Sequence, residues 1–156
     1  MITHADHSPE GAVAVIRDSR SDDAPSIAEL LDSLGYPSPI ADVERRIAAG
    51  MDSAGTAIFV AESSSRIVGA ISFHCIPLFH ANGFLGRITS LVVALDFRQR
   101  GIGHSLVLAA EKFAWTHGCT RIEVTSGDHR PDAHAFYEHI GYRCDCRRFI
   151  KQSQNV

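Results

Sequence analysis

The most informative segment of this chain is Arg98-Gln99-Arg100-Gly101-Ile102-Gly103-His104-Ser105. Before it, residues 88–95 are rich in aliphatic and β-branched side chains, which predicts a strand, and Asp96 ends that run. After it, apolar residues recur at helical spacing at Ile102, Leu106, Ala109, Ala110 and Phe113. The two glycines therefore lie where a strand gives way to the N-terminus of a helix.

This junction is predicted to bind a diphosphate. The first N–H groups of a helix have no intrahelical partners and carry the positive end of the helix dipole, so they attract anions. Gly101 and Gly103 lack a Cβ, which permits unusual backbone angles and the close approach of a bulky anion. Arg98 and Arg100 add positive charge that pairs with phosphate. A tight turn packed on a strand uses the same residue types, so the glycines alone leave that alternative open.

The wider pattern distinguishes among nucleotide motifs. No third glycine completes a dinucleotide fingerprint, and no Gly-Lys-Ser/Thr follows as in a nucleoside-triphosphate loop. Val92-Val93 followed by 96–103 instead resembles the acetyl-coenzyme A signature of the GNAT superfamily of N-acetyltransferases, Arg/Gln-x-x-Gly-x-Gly/Ala after an apolar strand. Arg98, Gly101 and Gly103 occupy its defining positions.

A second segment extends the resemblance. The run Ala133-His134-Ala135-Phe136-Tyr137-Glu138-His139-Ile140-Gly141-Tyr142 is similar to the second signature of the family, Ala-x-x-Phe-Tyr-x-x-x-Gly-Phe/Tyr. It follows a predicted strand at 122–126, and the spacing from Ser126 to Arg130 and His134 resembles a bacterial branch of the superfamily. Two motifs in the right order carry the resemblance over nearly the whole chain, from about residue 13 to about residue 150.

The order of elements predicts an α/β fold with a mixed, largely antiparallel central sheet flanked by helices, as the resemblance to GNAT proteins implies. The Asn82-Gly83 pair indicates a hairpin, so the third and fourth strands are expected to be antiparallel. Strands are predicted over 13–17, 56–61, 66–74, 84–95, 121–126 and 142–150. Helices are predicted after Asp22 or Asp23, from Ile40 to Gly50, from Gly103 to Gly118 and over 131–139.

Length and composition are typical of a single globular domain. The chain has 156 residues, of which 45% are hydrophobic, and we expect one domain over 12–156 preceded by a flexible N-terminus over 1–11. A net charge of -3 with scattered arginines argues against a nucleic-acid partner. No apolar run approaches the roughly 20 residues that span a bilayer. The expectation is therefore a cytoplasmic protein with no membrane partner.

The cysteines do not predict a metal site. Cys75, Cys119, Cys144 and Cys146 lack the paired spacing of zinc ligands, so free thiols and no bound metal are expected.

The resemblance implies where acetyl-CoA, the cosubstrate, would bind. In GNAT enzymes the pantetheine arm lies along the fourth strand and the pyrophosphate lies on the glycine-rich loop. The residues that match these positions here are Leu91, Val92, Val93, Arg98, Gln99, Arg100, Gly101, Ile102, Gly103, His104 and Ser105. The same valines and leucine also suit a core, and both roles are compatible because the arm is held by backbone groups.

The resemblance also implies a catalytic tyrosine. Tyr137 matches the family tyrosine that donates a proton or hydrogen bond to the departing sulfur, although a packed helical tyrosine is the alternative. Many relatives carry acidic residues early in the fourth strand, where this chain has Ile88-Thr89-Ser90-Leu91. Glu123 is the predicted replacement base, and His74 or a water held by Thr89 or Ser90 remain open alternatives.

We therefore predict an N-acetyltransferase that moves an acetyl group from acetyl-CoA to a primary amine by direct transfer, without an acetyl-enzyme. The acceptor is expected to be a small-molecule or peptide amine, and its identity stays open. A catalytically inactive CoA-binding regulatory or partner-binding module is the alternative, because the strand lacks the usual carboxylates. A homodimer is expected by family analogy alone.

Overall fold

The computed structural model describes residues 13–127, 129–145 and 147–153. The chain divides between Thr125 and Ser126 into two compact units. The predicted flexible segment 1–11 lies outside the described residues, and the single domain over 12–156 stays a prediction. In the part of the chain that is described, no helix has the length and apolar character needed to cross a membrane.

The first unit contains a five-stranded sheet, and its strands follow chain order across the sheet. The strands are β1 (Val15–Asp18), β2 (Thr56–Ser63), β3 (Arg66–Pro77), β4 (Phe84–Val93) and β5 (Cys119–Val124). The first four are antiparallel, and β5 pairs in parallel with β4. The helices are α1 (Ala24–Ser33), α2 (Ile40–Met51), α3 (Ile102–Thr116) and α4 (Pro131–His139), of which α4 belongs to the second unit. The predicted mixed, largely antiparallel sheet with flanking helices is confirmed.

Helices cover both faces of this sheet. On one face, α1 and α2 bury Ile27, Leu30, Val43 and Ile47 in a cluster that includes Val60, Ile67, Ala70 and Val92 of the strands. On the other face, the Phe113 ring of α3 lies edge-on to Phe73 at 6.0 Å and to Phe59 at 6.3 Å. Burial of these apolar side chains fixes which residues of each strand face which helix layer.

The start of α1 shows how a polar network joins the strands to the helices. The helix begins directly after Asp23, as predicted, but the Asp23 side chain does not cap it. Its carboxylate instead accepts hydrogen bonds from both Arg17 Nη atoms at 2.8 Å and from the Arg20 N–H at 2.8 Å. The hydrogen bond from Arg17 holds the pKa of Asp23 below its usual value. Arg17 also donates to Glu62 at 2.6 Å, which ties β1 to β2.

The strand predicted over 142–150 is wrong. Residues 142–145 and 147–153 form neither helix nor strand. The alternation that would give a strand a buried face is absent here, because residues 143–145 and 147–150 are exposed on both sides of the chain. Phe149 and Ile150, the apolar residues of this stretch, are 92% and 68% exposed.

Candidate active site

The junction of β4 and α3 forms an open backbone cradle. After a 3-10 turn over Leu95–Phe97, Gln99 and Gly101 take positive φ values of 59° and 78° and turn the chain into the helix. A Cβ added to Gly101 would meet no atom within 4 Å, so the space above it is open. Gly103 lies inside the first helical turn and is not among the positive-φ glycines, so only Gly101 uses the unusual backbone angle.

The N-terminus of α3 presents free donors toward this space. Gly101 at the N-cap position supplies no side-chain cap. The first helical hydrogen bond runs from the Ser105 N–H to the Gly101 carbonyl oxygen at 3.0 Å. The N–H groups of Ile102, Gly103 and His104 therefore have no intrahelical acceptor, which is the arrangement that binds pyrophosphate oxygens. Ile102 anchors the turn in the core at 7% exposure.

Three guanidinium groups surround the cradle. Arg98 Nε donates to the Val93 carbonyl oxygen at 3.1 Å, and the Arg100 guanidinium lies 5.0 Å from the centre of the Phe97 ring. Arg66 lies over the same ring at 5.4 Å and donates to Asp96 at 2.9 Å. The sequence predicted Arg98 and Arg100 but not Arg66, since Arg66 reaches this loop only through the position of β3 in the sheet.

The end of β4 has an unpaired edge beside the cradle. The strand pairs with β5 only from Phe84 to Ile88, whereas it pairs with β3 as far as Val93. Its other edge, from Ser90 to Val93, has no strand partner among the described residues. Backbone groups on such an edge can bind an extended, amide-bearing arm, as a further strand would.

The predicted arm-binding residues occupy this edge. Val92 is buried at 4% exposure in the core beneath α1 and α2, and Leu91 and Val93 are half-buried. Their side chains therefore pack while their backbone remains at the edge of the sheet.

A β-bulge marks where the edge begins. Ser72 is paired with Ser90 and Phe73 with Ile88, which leaves Thr89 as the extra residue of β4. The Thr89 hydroxyl donates to Ser72 Oγ at 3.0 Å. Ser72 Oγ lies 3.2 Å from His74 Nε2, and His74 Nδ1 lies 3.1 Å from Thr56 Oγ1. Burial lowers the pKa of His74, because the neutral imidazole loses less solvation than the cation.

Glu123 lies in the same row of side chains as His74. On adjacent strands, His74 is in register with Arg87, and Arg87 is in register with Glu123. Glu123 Oε2 is 3.4 Å from Arg87 Nη1, and Oε1 is 2.9 Å from Arg121 Nε. Arg87 also donates to Thr125 Oγ1. Both oxygens of the predicted base are thus in contact with guanidinium groups.

Tyr137 lies on α4 in the second unit. Its ring meets the rings of Phe136 and Tyr142 edge-on, with centroids 5.1 Å and 5.7 Å away. Burial raises the pKa of Tyr137 to about 12, so the phenol keeps its proton at neutral pH. The side chain is therefore a hydrogen-bond donor, as its predicted role requires.

Cys75 is a poor candidate for a nucleophile. Cys75 Sγ and Cys119 Sγ lie 3.5 Å apart, and burial raises the pKa of Cys75 to about 12, which suppresses its thiolate. Cys144 is exposed, and Cys146 lies outside the described residues. Within the described ranges, no group of three or more His, Cys, Asp or Glu side chains is placed to hold a metal ion.

Comparison with known proteins agrees with this geometry. The model of the Acetyltransferase (GNAT) family matches residues 17–142. An aminoalkylphosphonate N-acetyltransferase of Salmonella typhimurium is 38% identical over 89 residues, which are 56% of this chain and 57% of that protein. The glucosamine 6-phosphate N-acetyltransferase of Trypanosoma brucei brucei is 31% identical over 130 residues, covering 81% of this chain and 86% of the relative.

A solved structure shows the same fold. The aminoglycoside N-acetyltransferase AAC(6')-Iy in complex with CoA superposes with a TM-score of 0.82. The superposition covers 94% of this chain and 99% of that one at 16% identity.

Proposed function

Because the chain belongs to the GNAT family of acetyltransferases, we propose that it transfers an acetyl group from acetyl-CoA directly to a primary amine. The observation that carries the proposal is the uncapped N-terminus of α3, with open space above Gly101, beside the unpaired edge of β4. The N–H groups from Ile102 to His104 would hold the pyrophosphate, and Arg98 and Arg100 would neutralise it. The backbone from Leu91 to Val93 would hold the arm.

The chemistry divides between binding and proton transfer. Acetyl-CoA supplies an activated acetyl thioester, and the chain must position it, accept a proton from the amine and assist the departing sulfur. With a pKa of about 12, Tyr137 is a weaker acid than a thiol of pKa about 8.5. Tyr137 is therefore suited to stabilise the thiolate through a donated hydrogen bond. Glu123 is the base predicted from the sequence, and His74 is its rival.

The acceptor is proposed to be a small-molecule amine. The two relatives described above are named for an aminoalkylphosphonate and for glucosamine 6-phosphate, both of which carry an amine and a phosphorus oxyanion. A peptide amine, a homodimer and a cytoplasmic location stay predictions from the sequence.

A thiol-release assay tests the proposal. In this assay, acetyl-CoA is combined in turn with aminoalkylphosphonates, hexosamine phosphates, aminoglycosides, polyamines and peptide amines. In parallel, calorimetry measures the binding of coenzyme A to the wild type and to Gly103→Glu. We expect thiol release that depends on one amine class, and binding that the variant loses. Binding without turnover on any amine would favour the inactive coenzyme A-binding module, and no binding by the wild type would contradict the cradle.

A further inference from the structure

A chain of hydrogen bonds crosses three strands from the bulge to a half-buried imidazole and on to a threonine. It runs from Thr89 on β4 to Ser72 and His74 on β3 and ends at Thr56 on β2, with successive distances of 3.0, 3.2 and 3.1 Å. Thr89 at one end is exposed, whereas His74 is half-buried. We define these four residues as the relay.

With His74 in its Nδ1–H tautomer, the hydrogen bonds of the relay form one directed series, in which the Thr89 hydroxyl uses Ser72 Oγ at 3.0 Å in place of the Ser72 carbonyl oxygen at 3.4 Å. The Thr89 hydroxyl donates to Ser72 Oγ, so the single hydrogen of Ser72 is free to point at His74 Nε2. An imidazole that accepts at Nε2 carries its hydrogen on Nδ1, where Thr56 Oγ1 accepts it. Every bond is satisfied by a neutral histidine with a basic nitrogen facing the exposed end. A proton delivered to Thr89 can therefore reach Nε2 by two hydroxyl transfers.

The exposed end of the relay lies where the acetyl group of the cosubstrate is expected. The unpaired edge of β4 runs from Val93, next to the cradle, back to the bulge at Thr89. Four strand residues span about 13 Å at the usual rise of about 3.3 Å per residue. An extended arm bound at the cradle and laid along this edge would place its far end near the Thr89 hydroxyl.

We propose that Thr89 takes the proton of the acceptor amine and that Ser72 passes it to His74, a step that rests on the proposed transferase function. The amine nitrogen bonds to the acetyl carbon, and the carbon–sulfur bond breaks with its electron pair on sulfur. The surplus proton of the nitrogen moves to Thr89 Oγ1, and the hydroxyl protons of Thr89 and Ser72 each move one place toward His74 Nε2. Thr89 is the catalytic residue, while Ser72 and His74 act through it.

The surroundings of His74 suit a base that is neutral at rest. Its register partner on β4 is Arg87, and Glu123 of β5 lies beyond and pairs with that arginine. On β2, its partner Thr56 does not titrate. The residues that α1 and α2 bury are all apolar, namely Ala24, Ile27, Ala28, Leu30, Val43 and Ile47. The register partners of His74 are therefore one cation and one neutral hydroxyl, and burial of the imidazole lowers its pKa.

The kinetic test compares His74→Gln, Ser72→Ala and Thr89→Val with His117→Gln, a histidine on the C-terminal side of α3. With both substrates saturating, we expect kcat to fall at least about a hundredfold in each relay variant while coenzyme A binding is unchanged. In the wild type, kcat should fall as the pH drops through the lowered pKa of His74, below about 6.5, because the imidazolium cannot accept a proton. In His74→Gln, kcat should no longer fall in this way at low pH. His117→Gln should keep both the kcat and the pH dependence of the wild type.

Glu123→Gln provides the competing outcome. Glu123 is the base, and the relay is overturned, if Glu123→Gln abolishes the fall of kcat at low pH and lowers kcat a hundredfold while His74→Gln changes neither property. If the wild type releases no thiol with any amine although it binds coenzyme A, the transferase function fails and the catalytic use of the relay fails with it.

The tautomer of His74, measured by spectroscopy, tests the relay independently of enzymatic activity. Nitrogen-15 correlation spectra of the imidazole should show the Nδ1–H form of His74 in the wild type, and both Ser72→Ala and Thr56→Val should change its pKa or its tautomer. A resting Nε2–H form would overturn the proposal whatever the activity, because that nitrogen would have no lone pair for the incoming proton.

Discussion

The cradle and the relay are built in opposite ways. The cradle, from Val93 to Ser105, is continuous in the chain and presents backbone N–H groups at a helix end. The relay takes its side chains from three strands, and only the register of β2, β3 and β4 brings them together. A function carried by local backbone can be recognised as a short motif, whereas one carried by register cannot.

The two regions should also fail differently. Changes in the cradle should weaken coenzyme A binding, because in the proposed complex its groups would contact the cosubstrate far from the reacting bond. Changes in the relay should lower the rate and leave binding intact, because in the proposed mechanism its groups would act on a proton that moves only during the reaction. Variants that affect both properties equally would remove the distinction.

The largest effect on coenzyme A binding is expected from a carboxylate in the cradle. Gly101→Asp should weaken coenzyme A binding at least about a hundredfold, because the new charge faces the pyrophosphate and occupies the open space above the helix end. Gly35→Asp is the matched control, since Gly35 also has a positive φ, 95° against 78°, and open space around its Cβ position. Both variants should lose similar stability, and only the first should lose binding in calorimetry. Equal coenzyme A binding by the two variants would contradict the role of the cradle in binding the pyrophosphate.

The next effect concerns Tyr137, which belongs to neither region. Tyr137→Phe should lower kcat about thirtyfold, because a hydrogen bond to a charged partner contributes about 1.5–3 kcal/mol. Coenzyme A binding should be unchanged, and the comparison of wild type with variant in the thiol-release assay measures the loss. An unaltered kcat would leave Tyr137 as a packing residue of α4.

A smaller effect tests the buried end of the relay. Thr56→Val keeps the side-chain shape but removes the acceptor of the His74 Nδ1–H, so kcat should fall about tenfold with no change in coenzyme A affinity. Thr120→Val on the exposed side of β5 is the control and should have no effect. A change in affinity at Thr56 would mean that the strand register, not the proton path, had been disturbed.

The smallest effect is expected at the mouth of the cradle. Arg100 is exposed and its guanidinium lies over Phe97, so Arg100→Leu should weaken coenzyme A binding only about fivefold. The loss should shrink as salt concentration rises, because exposed charges are screened. Arg45→Leu on α2 supplies the comparison, and calorimetry at two ionic strengths distinguishes the two arginines. A salt-independent loss at Arg100 would point to packing on Phe97 instead of charge.

The sequence predicted what depends on neighbouring residues. Local signals predict the ends of α4, the start of α1 after Asp23 and the turn at Gly101. For the two helices the signal is a proline in the first turn, and for the turn it is a glycine where φ is positive. The antiparallel pairing of β3 with β4 followed from Asn82-Gly83. Each of these features is decided within a few residues of chain.

The remaining features depend on contacts between distant residues. The sequence does not distinguish Thr89 from other hydroxyl-bearing residues of a strand. Only the β-bulge makes Thr89 the extra residue of β4 and brings its hydroxyl to Ser72. Arg66 reaches the cradle through the sheet, and Asp23 binds Arg17 instead of capping its own helix. The strand predicted over 142–150 failed for the same reason, since hydropathy alternation cannot supply a partner strand.

The most direct measurement is a coenzyme A titration followed by amide nitrogen–proton correlation spectra of the whole chain. We expect the largest shifts at the N–H groups of Ile102, Gly103 and His104, since these would donate to the pyrophosphate, with smaller shifts from Ser90 to Val93 along the edge of β4. Shifts confined to other parts of the chain, with the N–H groups at the start of α3 unmoved, would contradict the assignment of this helix end as the coenzyme A site.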